Sequence, residues 1–388
     1  MQTRVPTGFE DMVAPMRAAH QRIIEALGED APVRVNPDVQ GQGHESGVAA
    51  ARAYPIQGIL KYHGITDWDW RIAYMPSISV NNDAAYTVTW VEFDPVLTDD
   101  RVTIGGQEAQ GRERERVRRV LDVVRDLAGV RSRARVASRN VVRASKTGKG
   151  LGTSASASAA LATAALAAVL GERAIDDRYL LSCVARLLAG SGGRSAAGGV
   201  ALWLSYPGIA HRDSYSVRLD TAGELDDVRL ITVPVDSRLG LKTEAAHEDA
   251  PHSSLFKCWM LGRCKEVLEC IAAVRAGDWR TLGQLAEVDS IRLHGVTMSG
   301  SRENKLFAWE PENIALFRLC NDLRSEGVPV YFSTDTGPTV VFITHQDYED
   351  AVVARLDALE MGAEVVRGRI AGPAALLDPD EARREIGM

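Results

Sequence analysis

The segment KTGKGLGTSASASAALATAAL, from Lys146 to Leu166, constrains the fold of this chain more than any other stretch. Three glycines, at positions 148, 150 and 152, precede small hydroxyl residues and a run of alanine. Glycine lets backbone N–H groups turn toward a ligand, and the N-terminus of the helix that follows attracts negative charge. The pattern predicts a phosphate-binding loop before a buried helix. A plain helix start with no ligand has the same composition, and the spacing is not that of a Walker A loop.

Composition excludes several classes of protein. The chain has 388 residues, so we expect two to three domains. Its formal net charge is -7, which gives no general attraction to nucleic acid or to anionic membranes. No uninterrupted apolar run spans a membrane, and the first residues lack the apolar core of a signal peptide. The five cysteines form no C-x-x-C pair. Together these features predict reduced thiols and a cytoplasmic protein that binds neither membrane nor nucleic acid.

The order of predicted helices and strands indicates two α+β domains, because strands and helices alternate without a regular βαβ period. We expect a helical N-terminal extension over residues 1–50, a domain containing the glycine loop over 51–225, and a second domain over 226–388. Residues 111–129 predict an amphipathic helix, residues 133–142 a strand, and residues 328–344 a hairpin. The glycine-rich stretch SGGRSAAGG is predicted to be a loop.

The chain is rich in arginine between Arg112 and Arg143, which raises the alternative of a nucleic-acid-binding patch. Acidic residues are interleaved with these arginines, among them Glu113, Glu115 and Asp122. We therefore predict a solvated helix face with ion pairs along it.

Seven ordered motifs resemble the GHMP kinase superfamily and, within it, the mevalonate diphosphate decarboxylases. The loop GLGTSASASAAL is similar to the ATP-binding loop of the superfamily. The decarboxylase branch has counterparts of LKYHG, PSISVNN, ARLLAGSGGRSAAGG, DSRLGLKT, LHGVTM and STDTGPTVV. The resemblance leaves out the first fifty residues, for which we have no function. It implies a two-domain GHMP-kinase-like fold, with a ribosomal-protein-like α/β N-terminal domain and a ferredoxin-like α+β C-terminal domain.

The resemblance also assigns site residues for an ATP-dependent decarboxylation. Asp335 matches the catalytic aspartate, although Asp-Thr-Gly-Pro is also ordinary turn sequence. Lys61 matches the lysine that keeps this carboxylate ionised, and its alternative role is that of a surface lysine at a strand end. The implied substrate-binding residues are Tyr62, Ser191, Arg194 and Arg238. The implied ATP-binding residues are Gly148, Lys149, Gly150, Leu151, Gly152, Thr153, Ser154 and Ser237.

Other implied features are less specific. The hydroxyls of Ser154 and Ser156 are candidate ligands of phosphate or Mg²⁺. His294 matches a family histidine, for which a buried structural role is equally compatible. No His/Cys cluster has metal-ligand spacing, so Mg²⁺ is expected to arrive with ATP, without a metal site of the protein's own. The family resemblance further predicts a homodimer.

Three positions depart from the diphosphate-using decarboxylases. Ile65 replaces a lysine, Ala189 a serine and His63 a tryptophan. The form YPIQG-x-x-KYHG resembles the phosphomevalonate decarboxylases of the archaeal-type mevalonate pathway. The resemblance therefore implies that mevalonate 5-phosphate is converted to isopentenyl phosphate in isoprenoid biosynthesis. Compensating donors for a diphosphate would have to come from Lys242, Arg238 or His63.

Three alternatives stay open. The first is a mevalonate diphosphate decarboxylase, and the second is a mevalonate-type kinase that stops after phosphoryl transfer. The third is a non-catalytic module of the same architecture. The presence of both Lys61 and Asp335 favours decarboxylation over the kinase, since the related mevalonate 3-kinases lack these residues. The negative net charge and the glycine loop disfavour the module.

Overall fold

The structure of the chain is a computed structural model that describes residues 3–28, 41–142, 152–236, 243–300, 305–359, 361 and 364–388. The helices are α1 Glu10–Leu27, α2 Gly111–Ala128, α3 Thr153–Leu170, α4 Arg178–Ala185, α5 Gly192–Ala197, α6 Thr243–Asp249, α7 Phe256–Arg275, α8 Trp279–Gly300, α9 Pro311–Ser325, α10 Glu349–Asp357 and α11 Pro379–Ile386. The strands are β1 Gly47–Ala53, β2 Ile56–Leu60, β3 Ile65–Asp67, β4 Ile72–Ala73, β5 Ser77–Asn81, β6 Ala85–Asp94, β7 Arg101–Ile104, β8 Gln107–Glu108, β9 Arg133–Val142, β10 Val200–Trp203, β11 Ser216–Arg218, β12 Val228–Val233, β13 Tyr331–Thr334, β14 Val340–His345, β15 Val366–Arg369 and β16 Ala375–Leu377.

The alanine-rich helix α3 lies at the centre of the first layer. It packs on a six-stranded sheet of order β16-β1-β6-β9-β7-β8 and is buried on nearly all sides. Small side chains suit this position because they let helices and strands approach closely on every face. By length and composition α3 could cross a membrane, but 78% of it is buried inside the protein. Serine and threonine interrupt its apolar run, and the burial identifies α3 as a core helix.

Two four-stranded sheets meet at the site described below. One has the order β11-β10-β5-β2, and the other has the order β13-β14-β12-β15. The predicted hairpin is present, since β13 and β14 pair antiparallel with Tyr331 opposite Ile343. The amide of Gln57 in β2 donates to the hydroxyl of Ser333 in β13 at 2.9 Å. The two sheets are therefore in direct contact between β2 and the last residues of β13. The mixed helix and sheet content confirms the predicted α+β class.

The N-terminal helix α1 is part of the core. Its residues Ile23 and Leu27 are 0% and 1% exposed and pack in one cluster with β2 and α7. Arg275 in α7 donates to the carbonyl of Leu27 at 3.0 Å. The proposed boundary at residue 50 remains a prediction, and α1 gives that extension a structural role in holding α7.

The stretch predicted to be a loop, SGGRSAAGG, instead forms the short helix α5. Its glycines are there for packing. A Cβ atom on Gly192 would lie 2.2 Å from the carbonyl oxygen of Ala185 and 2.4 Å from Cβ of Ser158. A Cβ atom on Gly193 would lie 2.8 Å from the hydroxyl of Ser216. Because α5 is pressed against α3 and α4, it tolerates two residues that weaken an isolated helix.

The arginine-rich helix α2 forms ion pairs, as predicted, but mostly with other elements. Among the described residues, only the pair between Arg125 and Asp122 lies within the helix. The other carboxylates that its arginines meet are Asp69, Asp99, Asp100 and Glu244. These contacts neutralise much of the positive charge that a polyanion would require.

Candidate active site

The ammonium of Lys61 is held where β2 ends. Its Nζ donates to the carbonyl of Gly58 at 2.8 Å and to the hydroxyl of Ser333 at 2.9 Å. Ser333 in turn donates to the same Gly58 carbonyl at 2.6 Å. Lys61 is 2% exposed, so the alternative of a surface lysine is wrong. Burial lowers the pKa of Lys61, and the negative charges of Asp335 and Asp289 oppose that shift.

The carboxylate of Asp335 lies against the same glycine. The Gly58 amide donates to Asp335 Oδ2 at 3.4 Å, and a Cβ atom at position 58 would lie 2.7 Å from Oδ1. Asp335 follows directly after β13 and is half-buried. The structure thus brings Lys61 and Asp335 together through Gly58 and Ser333, without an ion pair between them shorter than 4 Å.

A buried ion pair fixes the backbone of Lys61. Arg263 in α7 and Asp289 in α8 are both 0% exposed and lie 3.0 Å apart. The Lys61 amide donates to Asp289 Oδ2 at 2.5 Å, and Arg263 donates to the Lys61 carbonyl at 2.9 Å. Trp259 donates to Asp289 at 2.7 Å as well. Asp289 accepts from three groups, and Arg263 also lies 3.4 Å from Glu266, so each charge faces an opposite one in the protein interior. Helices of the second half thereby position a residue of the first.

Arg194 is a buried arginine whose guanidinium has nitrogens without a hydrogen-bond partner. It lies on α5, is 2% exposed, and has no hydrogen-bond partner for Nε or Nη1. Its guanidinium lies 5.3 Å from the ring centre of Tyr62. Burial lowers the pKa of Arg194 to about 10, opposed by Tyr62 and Asp335. At neutral pH it remains a cation, and its two free N–H groups match the geometry of a phosphate or carboxylate.

Tyr62 and Ser191 complete the anion-binding corner. Burial raises the pKa of Tyr62, while the charge of Arg194 and a hydrogen bond with Ser191 act in the opposite direction. Ser191 stands at the start of α5. The predicted substrate residues Tyr62, Ser191 and Arg194 therefore lie together, and Arg238 lies outside the described residues.

The position that carries lysine in the diphosphate users is apolar here. Ile65 is buried in a small cluster with Ala73 and Trp203, and Tyr62 and Trp68 pack at its edge. His63 has no exposed surface, and its Nε2 lies 3.2 Å from the Thr297 hydroxyl. Neither side chain presents a charge to a ligand, because burial lowers the pKa of His63 well below its usual value.

His294 supports the loop that carries Asp335. Its Nε2 lies 3.4 Å from the hydroxyl of Thr334, which itself donates to the carbonyl of Gly337 at 3.1 Å. Burial lowers the pKa of His294 to about 3, so the ring is neutral at physiological pH. A supporting role follows from this geometry.

Only the end of the glycine loop is described. Gly152 has a φ of 68°, and a Cβ atom there would lie 2.6 Å from the carbonyl oxygen of Ile56. This contact places the N-terminus of α3, with Thr153 and Ser154, beside β2, the strand that leads to Lys61. The location fits a phosphate donor close to Asp335. Gly148, Lys149, Gly150, Leu151 and Ser237 lie outside the described residues.

One hydroxyl proposed for phosphate or Mg²⁺ does not face the loop. Ser156 is 0% exposed, and its Oγ lies 2.6 Å from the hydroxyl of Thr87. It also donates to the carbonyl of Thr153 at 3.0 Å. Ser156 therefore joins α3 to β6, and the proposed ligand role was wrong. Ser154 is exposed and remains a candidate.

Sequence reasoning missed several residues of this site. Gly58 and Ser333 stand inside quoted motifs, so their proximity to Lys61 and Asp335 along the chain was the available signal. Arg263 and Asp289 carry no local signal, because each is one of several charged residues on a long helix and stands in no recognisable motif.

Comparisons with known proteins agree with this geometry. Residues 53–216 match the model of the diphosphomevalonate decarboxylase-like N-terminal domain. The phosphomevalonate decarboxylase of Haloferax volcanii is 38% identical over 86% of this chain and 99% of its own length. The crystal structure of mevalonate diphosphate decarboxylase from Staphylococcus aureus is 28% identical, with a TM-score of 0.78, over 86% of this chain and 100% of that one.

The structure of the Enterococcus faecalis enzyme in complex with MVAPP, AMPPCP and magnesium is also similar. It is 26% identical, with a TM-score of 0.77, over 86% of this chain and 99% of that one. The predicted two-domain GHMP-like fold is thereby confirmed. On the identity and coverage shared with these enzymes, the chain belongs to the family of the phosphomevalonate and diphosphomevalonate decarboxylases.

Proposed function

We propose that this protein is an ATP-dependent decarboxylase that converts mevalonate 5-phosphate to isopentenyl phosphate, with release of ADP, phosphate and carbon dioxide. The observation that carries the reaction type is the arrangement of Asp335, Gly58, Ser333 and Lys61 at the ends of β2 and β13. The observation that favours the monophosphate is the apolar surroundings of Ile65.

Phosphorylation comes first in the proposed reaction. The tertiary 3-hydroxyl oxygen attacks the γ-phosphoryl group of ATP, the bond to ADP breaks, and the hydroxyl proton is lost to the Asp335 carboxylate or to water. A carboxylate beside the hydroxyl makes that oxygen a better nucleophile. The Gly58 amide orients Asp335, and Lys61 supplies a fixed positive charge nearby. Mg²⁺, when bound with ATP, neutralises phosphate charge, and Ser154 is the described candidate to contact it.

Elimination follows. The bond between the carboxylate carbon and its neighbour breaks, and its electron pair forms the new double bond as the 3-phosphate leaves with the C–O electrons. Positive charge develops at C3 while phosphate departs, and the negative charge of Asp335 stabilises it. The free N–H groups of Arg194, with Tyr62 and Ser191, hold an anionic end of the substrate.

Whether the site prefers a monophosphate or a diphosphate substrate depends on the number of hydrogen-bond donors that it offers. A diphosphate carries more charge and needs more hydrogen bonds once it leaves water. Each charge-assisted hydrogen bond is worth roughly 1.5–3 kcal/mol. Two donors absent at Ile65 and Ala189 therefore predict a preference for the monophosphate on the order of 10²-fold.

The test compares kcat/KM for mevalonate, its 5-phosphate and its 5-diphosphate, with ATP and Mg²⁺, and with ATP omitted as a control. We expect ATP-dependent carbon dioxide release, fastest per unit concentration with the monophosphate. Preference for the diphosphate would overturn the substrate assignment and leave the decarboxylase standing. ADP formation without carbon dioxide would identify a kinase. The cytoplasmic location and the homodimer remain predictions from the family resemblance.

A further inference from the structure

His247 lies on the short helix α6 and packs against the anion-binding corner. Its side chain is almost completely buried, with 8% of the residue exposed. The imidazole lies nearly parallel to the ring of Tyr62, with 5.2 Å between the ring centres and 15° between the ring planes. The guanidinium of Arg194 lies 5.3 Å from the centre of the same tyrosine ring. His247 therefore adds a residue of the second half of the chain to the corner formed by Tyr62 and Arg194.

A backbone hydrogen bond sets the tautomer of His247. The amide of Gly64 donates to Nδ1 at 3.1 Å, so this nitrogen carries no proton. Burial is the main cause that lowers the pKa of His247 to about 4, which agrees with a neutral ring at physiological pH. The single proton of the neutral imidazole consequently sits on Nε2 and makes that nitrogen a hydrogen-bond donor.

This Nε2–H group is left without an acceptor. Among the described residues, the only hydrogen bond of His247 is the one that it accepts from Gly64. The neighbouring imidazole of His63, with 4.9 Å between the ring centres, is paired with Thr297 instead. Nε2 is not fully enclosed by the protein, so a ligand atom can reach it. An unpaired donor at a largely buried position is costly, and a ligand that accepts from it would remove that cost.

The orientation of the ring indicates where Nε2 points. The two nitrogens of an imidazole point in nearly opposite directions, and Nδ1 points to the backbone two residues after Tyr62. Because the rings are nearly parallel, Nε2 faces away from that backbone, toward the hydroxyl end of the tyrosine. That hydroxyl lies beside the loop before α5, since a Cβ atom on Gly190 would be 3.1 Å from it. The donor thus faces the same corner as the unpaired N–H groups of Arg194.

We propose that His247 donates a hydrogen bond from Nε2 to the 5-phosphate of the substrate, beside Arg194, and stands in for the donor that Ile65 lacks. The inference rests on the proposed function, because its ligand is a phosphorylated mevalonate. Gly64, which holds the imidazole, precedes Ile65 in the chain, so this donor lies next to the position where the diphosphate users have a lysine. A neutral imidazole supplies a hydrogen bond without a positive charge, which suits a monophosphate better than a diphosphate.

The test separates the three interactions available to His247. His247→Phe keeps a ring against Tyr62 and removes both nitrogens. His247→Asn places an amide oxygen near the position of Nδ1, so the contact with Gly64 is kept while the Nε2 donor is lost. His247→Gln places an amide nitrogen near the position of Nε2 and restores a donor. The matched control is His252→Asn, because His252 is an exposed histidine shortly after α6.

For both His247→Phe and His247→Asn we expect the KM for mevalonate 5-phosphate to rise about 10- to 100-fold, as for the loss of one hydrogen bond to a charged group. The kcat and the KM for ATP should stay within about threefold of the wild-type values, since this residue does not touch the reacting atoms. His247→Gln should recover part of the affinity, and His252→Asn should behave as wild type. Calorimetric titration of mevalonate 5-phosphate without ATP should give the same order of affinities.

Two results would assign His247 a structural role only. A wild-type KM in His247→Phe would show that stacking on Tyr62 is sufficient, and a wild-type KM in His247→Asn would show that the contact with Gly64 is sufficient. Either result overturns the inference, as does a lower melting temperature with unchanged calorimetric affinity. Unphosphorylated mevalonate, measured as a competing inhibitor, identifies the group that is bound. If His247→Phe weakens mevalonate as much as its 5-phosphate, the donor serves the carboxylate and the phosphate assignment is wrong.

Failure of the proposed function is separately visible. If the wild-type protein prefers the diphosphate, the substrate assignment is wrong, and the KM for the diphosphate in His247→Phe and His247→Asn then decides the role of His247. A raised KM in both variants would still support phosphate binding by Nε2, and an unchanged KM in either would overturn it. Because the calorimetric titration needs no turnover, it tests His247 even if the protein proves to be a kinase.

Discussion

Gly58 is the residue at which a single added methyl group should disturb the site most. In Gly58→Ala the new Cβ would lie 2.7 Å from Asp335 Oδ1 and 2.9 Å from Cγ of Lys61. Ordinary van der Waals contact begins near 3.4 Å. The carboxylate must therefore move by roughly 0.7 Å, whereas the Lys61 stem can rotate. A misplacement of about 1 Å at a reacting group costs on the order of 10²-fold, so we expect kcat to fall about 10- to 10²-fold.

The assay is ATP-dependent carbon dioxide release at saturating substrate, with thermal unfolding measured in parallel. Overpacking of this kind costs about 1–3 kcal/mol of stability, so the variant should still fold. Gly262→Ala in α7 is the matched control, because the nearest atom to its added Cβ is 4.0 Å away. It should leave kcat unchanged and stabilise the helix by about 0.5–1 kcal/mol. A folded Gly58→Ala protein with wild-type kcat would refute the view that Gly58 sets the position of Asp335.

Two further changes test the charges at the site. Asp335→Asn keeps the shape of the side chain and removes its negative charge, so kcat should fall on the order of 10²–10³-fold, with substrate affinity much less affected. Near-normal carbon dioxide release from the folded variant would contradict the catalytic role of Asp335. His247 stacks on Tyr62, and its pKa is lowered to about 4, first by burial and then by Arg71. Between about pH 6.5 and 4 the unfolded chain therefore binds a proton that the folded protein does not, and the free energy of unfolding should fall by up to roughly 3 kcal/mol across that range. Urea denaturation at a series of pH values should show a shallower decline in His247→Gln, and an identical decline would count against this origin.

The sequence predicted those parts of the fold whose information is local. Helix α2 and strand β9 were predicted to within a residue, because an apolar stripe or an alternating run identifies each one. The same reasoning failed at α5, where glycine was taken as a sign of a loop. There the absence of a side chain serves contacts with Ala185 and Ser158, which the local sequence does not reveal.

The residues of the site also divide into those that a local sequence pattern reveals and those that it does not. Lys61, Asp335 and Arg194 were predicted because each stands in a motif with a recognisable pattern. Arg263 and Asp289 could not be, since they act through the backbone of Lys61 from more than two hundred positions away.

The pairing of β16 with β1 has a consequence for the synthesis of the chain. Ala50 lies opposite Leu377, so the edge of the first sheet is completed only when nearly the whole sequence has left the ribosome. Until then β1 presents unpaired backbone groups, and an exposed strand edge invites pairing with other chains. Nascent or prematurely terminated forms of this protein should consequently depend on chaperones far more than the finished chain, and truncation before residue 375 should yield aggregates even though the catalytic motifs are all present.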